Sequence, residues 1–447
     1  MTDSVSRRQL LRAAAGAAVV LPLLGSAGCV STNRRVTQGR MRHGAVGCGG
    51  MGGSDLAEIA SHPDVDIVAL CDVDSNNLAK AAELHPQARL YRDWRVMLAT
   101  EDGALDSVHV TVPDHMHAPI MLDALDRGLH VYGQKPLTRT VAELRAVVDA
   151  ARRAGVATQM GIQNRANVHY LRSHELFLQG HIGKVHEVHV WTDRPTGWWP
   201  QGVGRPTETS PVPEALDWDL WLGVAPKRPF VEGSYHPFSW RGWKDFGTGA
   251  QGDMACHLMD PALWFLELGL PSSLRSDGPA PNNETYPLWS RVHMEYEPTE
   301  HTTRGPLQLT WYDGGRKPND LLKEWGAGED VYANACLFIG TEGALLASPY
   351  DAPRLLPEDR FVDVPLPPAE RYNHWHNWVD ACLGRSLPSA PFEYAGLLSE
   401  SALLGNVALH FPHETLRYDG DDLSFKGRPE ATALLYPDYR NGFALRG

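Results

Sequence analysis

From Met41 to Met160 the chain alternates short apolar runs with stretches whose apolar residues recur at helical spacing. HGAVG, DIVALCD, SVHVTVPD, HVYG and ATQMG read as strands, and residues 54–60, 77–84, 119–126 and 141–153 as the helices between them. Strand and helix repeated at these lengths predict a doubly wound parallel sheet. Beyond about residue 161 the strands lengthen and alternate, as in VHEVHVWTDRP and PLQLTWYDGG, between Pro- and Gly-rich loops clustered at 195–237 and 349–368. That pattern predicts an antiparallel sheet with one covered face in an α+β domain. HWHNWVDACLG and AGLLSESALLGNVALH carry Trp and Leu stripes at helical spacing, which predict helices facing a core.

At 447 residues the chain is long for one core, so two domains and a leader are expected: 1–29 leader, 30–40 linker, 41–160 first domain, 161–420 second domain, 421–447 tail. Hydrophobic residues at 43% and charged residues at 21% fit a globular chain. The net charge of −13, with no basic stripe, argues against a nucleic-acid partner.

The leader holds Arg7 and Arg8 before an apolar, Ala-rich stretch over 13–24 that is too short for a membrane span. Twin arginines before a mildly hydrophobic run resemble a Tat export signal, which implies the Tat machinery as a partner and a periplasmic destination. An amphipathic helix is the alternative, but the stretch has no polar face. Ser26-Ala27-Gly28-Cys29 is compatible with a lipobox and a lipid anchor at Cys29, although Leu is missing from its usual place. The six cysteines, at 29, 48, 71, 256, 336 and 382, form no CxxC and no disulfide framework, so most read as small buried hydrophobes.

Gly47-Cys48-Gly49-Gly50-Met51-Gly52 fits G-x-G-x-x-G between a strand and a helix. The first glycine makes the turn, the second admits a pyrophosphate to the backbone, and the third lets helix and strand pack. Alone, the motif could be a simple glycine turn. Asp72, ending the next strand in LCDVD twenty residues after Gly52, supplies the acid that binds ribose hydroxyls and favours NAD over NADP. Pro113 and His117 in VPDHMH fall at the same sheet edge, either beside the cofactor or capping the next helix.

GQKPLTRT places Gln134 and Lys135 after the fifth strand, where the nicotinamide end belongs. In GDMACHLMD, Asp253 and His257 stand at i and i+4, on one helix face about 5–6 Å apart. An imidazole supported by a carboxylate is a general base, and equally a helix cap with a satisfied surface histidine. Asp260 would extend the pair toward a metal site, but without a second cluster no metal is expected. Seven of the 14 tryptophans lie between Trp191 and Trp243. Trp198, Trp199 and Trp243, with Arg194 and Lys244, suit a pyranose ring with its apolar face and polar rim, or else a Trp-rich core.

With GCGGMG, CDVD, VPDHMH, QKPL and GDMACHLMD in this order, the chain resembles the Gfo/Idh/MocA family over about residues 41–420. The resemblance implies an α/β Rossmann domain, then an α+β domain with a large open, mainly antiparallel sheet, in a homodimer or tetramer. It implies Lys135 and His257 as the proton-handling pair, hydride transfer to nicotinamide, and Asp253 as the residue that positions substrate and ring, with a sugar, polyol or glycoside as substrate. Gln134 departs from the family's usual Glu, which puts the tuning of the neighbouring lysine in doubt.

An export leader on a nicotinamide enzyme implies a carried, tightly bound NAD that each turnover restores. Three functions are expected to compete: sugar oxidation coupled to reduction of a second sugar, redox-neutral glycoside cleavage by oxidation, elimination, hydration and reduction, and non-catalytic sugar binding. A dehydrogenase with exchangeable NAD follows if the leader is misread.

Overall fold

The computed structural model describes residues 39–328 and 331–445. The expected leader, the Tat arginines Arg7 and Arg8, and the Cys29 anchor lie outside the described residues. Among the described residues no helix is long and apolar enough to cross a membrane.

The first domain is a six-stranded sheet in the order β3 (Arg89–Tyr91), β2 (Val65–Cys71), β1 (Met41–Val46), β4 (Ser107–Val110), β5 (His130–Gly133), β6 (Thr158–Met160). Every neighbouring pair is parallel. β4 and β5 are buried at every position, so the middle of the sheet is covered on both faces. Strand order reverses between β1 and β4, and the loops that leave these strands, 47–50 and 111–116, flank one crevice. In such sheets ligands bind at this switch point.

The second domain is a nine-stranded sheet: β13 (Arg354–Leu356), β12 (Ala344–Ala347), β11 (Ala335–Gly340), β7 (Val185–Trp191), β10 (Leu307–Tyr312), β9 (Arg291–Tyr296), β8 (Ser273–Asp277), β14 (Thr415–Asp419), β15 (Ser424–Phe425). All pairs are antiparallel except β7 with β10. The fold is the one expected, an α/β Rossmann domain followed by an α+β domain.

Helix Phe392–Ala408 joins the two domains. Nearly all of its residues are buried, and it packs on both helix Val141–Ala154 of the first domain and helix Gly249–Leu258 of the second. The latter, which carries Asp253 and His257, is thereby fixed relative to the Rossmann crevice. The segment expected as a tail is built into the fold: β15 edges the large sheet, Leu435 accepts a hydrogen bond from Ala142 N at 2.9 Å, and Tyr439 donates to Glu143 at 2.5 Å.

The Pro- and Trp-rich stretch after β7 forms its own small core from Leu216, Trp221, Phe230, Tyr235, Trp243 and Phe246, with Val73 of the first domain packed on it. It is stitched to the Rossmann edge by the Asp74–Leu216 bridge, by Ser75 N to Ala215 O at 2.9 Å, and by Asp217 N to Val73 O at 3.0 Å.

Candidate active site

One cavity of about 700 Å³ runs from the glycine loop, across the switch point, to helix Gly249–Leu258. Its first stretch is lined by Gly47, Gly49, Gly50, Met51, Gly52 and Asp72. Gly47 has a φ of 92°, and a Cβ there would meet Thr111 O at 2.0 Å; a Cβ on Gly52 would meet Gly47 O at 2.3 Å. The loop can hold this close path only with glycine at both points. Asp72 accepts Cys48 N at 2.8 Å and Asp74 N at 2.9 Å, one on each carboxylate oxygen, so it pins the loop while facing the cavity. Glycine backbone approaching a crevice that ends in a carboxylate fits a dinucleotide, with amides for the pyrophosphate and an acid for the ribose.

Pro113, His117, Gln134 and Lys135 continue the lining. His117 spends both ring nitrogens on carbonyls, Pro136 O and Val112 O, each at 2.8 Å. It braces the two loops that leave β4 and β5 while lining the cavity. Gln134 donates Nε2 to Asp55 Oδ2 at 3.0 Å.

At the far end Lys135 Nζ donates to Asp253 Oδ1 at 2.7 Å and to Asp253 O at 3.0 Å, across the domain boundary. Arg241 Nε reaches the same Oδ1 at 3.1 Å. Burial pushes the Asp253 carboxyl up, but Lys135 and Arg241 outweigh it and hold the group well below the usual carboxylate range. Among the described residues no hydrogen bond joins Asp253 to His257. The expected carboxylate-supported imidazole is therefore not formed: two cations have drawn the carboxylate to themselves. Burial, reinforced by Lys135, pushes His257 down to about 3, and among the described residues its buried Nδ1 has no partner. A neutral imidazole lining a cavity can accept a proton.

Arg194, Trp198 and Trp199 line the outer cavity. Trp243 and Lys244 do not. Trp243 is buried in the core of the insert, with Nε1 donating to Ser234 O at 2.7 Å. Lys244 turns its backbone to Glu284 O and Arg139. Asp260 also stands apart, its carboxylate taken by Arg165 at 2.6 Å and by Tyr394, so it makes no metal set with Asp253 and His257.

Sequence reasoning missed Asp114, Gln163, Trp240, Arg241 and Tyr350, all of which line the cavity. Asp114 was within reach, since VPDHMH puts it beside Pro113 at the switch point. It accepts the Thr248 hydroxyl at 2.6 Å, and burial pushes it up to about 7. Arg241 sits in WRGWKD, but nothing in its spacing sets it apart from Arg194.

Residues 41–162 match the family model described as oxidoreductase family, NAD-binding Rossmann fold, and residues 172–302 match the one for its C-terminal alpha/beta domain. The chain is similar to D-apiose dehydrogenase of Paraburkholderia graminis, 36% identical over 117 residues, covering 26% of this chain and 31% of that protein. It is also similar to inositol 2-dehydrogenase of Salmonella typhimurium, 27% identical over 152 residues, covering 33% and 45%. The matched stretches span less than half the length of these relatives. Among solved structures, the WlbA dehydrogenase of Bordetella pertussis, in complex with NADH and UDP-GlcNAcA, superposes with a TM-score of 0.60 at 18% identity, over 85% of this chain and 99% of that one. The aldose-aldose oxidoreductase of Caulobacter crescentus, complexed with glycerol, gives 0.55 at 14% identity, over 85% and 100%. With both halves matched in order, the chain belongs to the Gfo/Idh/MocA family of NAD-binding oxidoreductases.

Proposed function

We propose that the protein oxidises a hydroxyl-bearing carbon of a carbohydrate at the end of the dinucleotide crevice. The observation that carries this reading is the meeting of Lys135, from the Rossmann domain, with Asp253 and His257, from the second domain, at one end of the cavity whose other end is the glycine loop. When bound, the nicotinamide supplies the hydride acceptor. His257 takes the hydroxyl proton. Two of the three Lys135 N–H bonds point at Asp253, and the third is left to hold the substrate oxygen. Asp253 keeps the lysine aimed, and Trp198 and Trp199 offer faces for the sugar ring.

The cofactor is proposed to be NAD, tightly held. In support, Leu220, Trp221, His236 and Pro237 of the insert line the cavity beside Asp72 and Val73, and His236 pairs with Asp74 at 3.1 Å. A dinucleotide under this roof leaves only when the stitched insert lifts. Retention favours a reaction that returns the nicotinamide to its starting state, either between two sugars or by redox-neutral glycoside cleavage, and it agrees with export through the Tat leader in a folded, loaded form. The named aldose-aldose relative fits the first of these. The test is to purify the protein without added cofactor, desalt and denature it, and weigh released dinucleotide against chain. Close to one NAD per chain supports the reading; an empty protein that binds NAD reversibly points to an ordinary dehydrogenase.

A further inference from the structure

The chain is acidic overall, with a net charge of −13, yet the outer part of its cavity is lined by two arginines beside Lys135. Arg194 and Arg241 are largely buried, with side chains only 12% and 18% exposed. The Arg194 guanidinium lies 3.5 Å over the Trp198 ring, and that of Arg241 lies 4.3 Å over Phe238 and 4.4 Å over Trp240. Stacking of this kind holds the plane and leaves the N–H edge free to meet a planar anion.

The hydrogen-bond inventory is incomplete on that edge. Among the described residues, Arg241 uses Nε on Asp253 and Nη1 on Phe238 O, while its Nη2 meets no protein acceptor. Among the same residues Arg194 uses Nη1 on Asp193, and its Nε and Nη2 meet none. Asp193 is 41% exposed and is not part of the cavity wall. Of the acids that line the cavity, Asp72 is held by two backbone amides and Asp114 by the Thr248 hydroxyl, and Asp253 is shared between Lys135 and Arg241, one carboxylate against two cations. Each guanidinium thus has one carboxylate neighbour, Asp193 or Asp253, and N–H bonds left over. A neutral sugar closing over them would strip water from those N–H bonds without adding charge, whereas an anionic one would accept them with a charge-assisted bond.

We infer that the substrate is an anionic carbohydrate, a uronate or a sugar sulfate or phosphate ester, with its acid group on Arg194 and Arg241 while a ring hydroxyl lies at His257. The inference rests on the proposed oxidoreductase reading for the reaction, but not for the binding.

The experiment uses the cofactor-loaded full chain with four probes: methyl glucuronide, methyl glucoside, glucose 6-sulfate and glucose 6-phosphate. Binding is read from tryptophan fluorescence and turnover from the absorbance of reduced nicotinamide. At least one anionic probe should bind ten times or more as tightly as methyl glucoside, and its advantage should shrink as salt rises. Which one wins separates carboxylate from sulfate and phosphate. Arg194→Gln should cut the anion-to-neutral preference at least fivefold, whereas Arg194→Lys should restore part of it. Equal or better binding of methyl glucoside, or a preference that Arg194→Gln leaves intact, overturns the inference. Reduction by methyl glucoside alone would keep the oxidoreductase reading and sink the anion. Tight anion binding without any reduction would keep the anion and sink the reaction.

Discussion

The side-chain amide of Gln134 donates to Asp55 Oδ2 at 3.0 Å, inside a buried cluster where Thr111 donates to the same oxygen at 2.7 Å and Trp375 Nε1 to the other at 2.8 Å. A carboxylate therefore stands one hydrogen bond from position 134, on the helix that follows the glycine loop. Gln134→Glu would set two buried carboxyls against each other and cost about 3 kcal/mol. Adding Asp55→Asn should recover more than half of that loss, read as Tm by calorimetry. Two independent, additive losses would contradict the coupling.

Asp114 makes a pH prediction. Burial raises its folded pKa to about 7 from an unfolded value of ~3.9. The raised value favours the protonated form in the folded state. Its stabilising contribution is therefore complete below pH ~4 and is lost as pH rises toward and through 7. Asp114→Asn keeps an acceptor for Thr248 and cannot ionise. The variant should match the parent near pH 4 and exceed it near pH 8 by on the order of 3–4 kcal/mol at most. The check is urea denaturation at both pH values; a constant offset would mean that Asp114 does not titrate there.

The insert gives a kinetic prediction. His236→Ala removes the 3.1 Å hydrogen bond to Asp74 at the roof over Asp72. Loss of bound dinucleotide, followed by dilution into a scavenging enzyme, should speed up about tenfold, the factor expected for one lost hydrogen bond of about 1.4 kcal/mol. Unchanged release would mean that the insert does not gate the cofactor.

His257 sets the acid limb of the rate. Burial and Lys135 push it to about 3, so the base is already free across the neutral range. The acid limb of kcat/KM should fall well below the ordinary imidazole value of ~6.5. A limb at ~6.5 that His257→Gln abolishes would show that the ring is solvated in the working enzyme.

Much of the fold was legible because its signals are local. β4 and β5 carry β-branched and aromatic residues, Val108, Val110, Val131 and Tyr132, and helix Val141–Ala154 announces itself with the Thr140–Glu143 capping box and Gly155 at its end. β3 and the helix Trp94–Thr100 were not read: three residues of strand, none of them buried, give no period to detect. Lys135 and Asp253 could each be chosen from a motif, but their bond is a tertiary fact, as is the theft of Asp253 from His257 by Arg241. Trp243 and Trp198 look alike in sequence. Only packing decides that one fills the insert's core while the other stands 48% exposed at the cavity mouth.

The most direct test of the central claim is a single-turnover experiment on the purified, cofactor-loaded chain. It is mixed with the sugar that binds it best, and the near-ultraviolet absorbance of reduced nicotinamide is followed at one equivalent per chain. The parent should develop the absorbance, and His257→Ala should develop none while releasing the same amount of NAD on denaturation. Equal signals from the two proteins would contradict the assignment of His257 as the base, and no signal from the parent with any sugar would contradict the reaction itself.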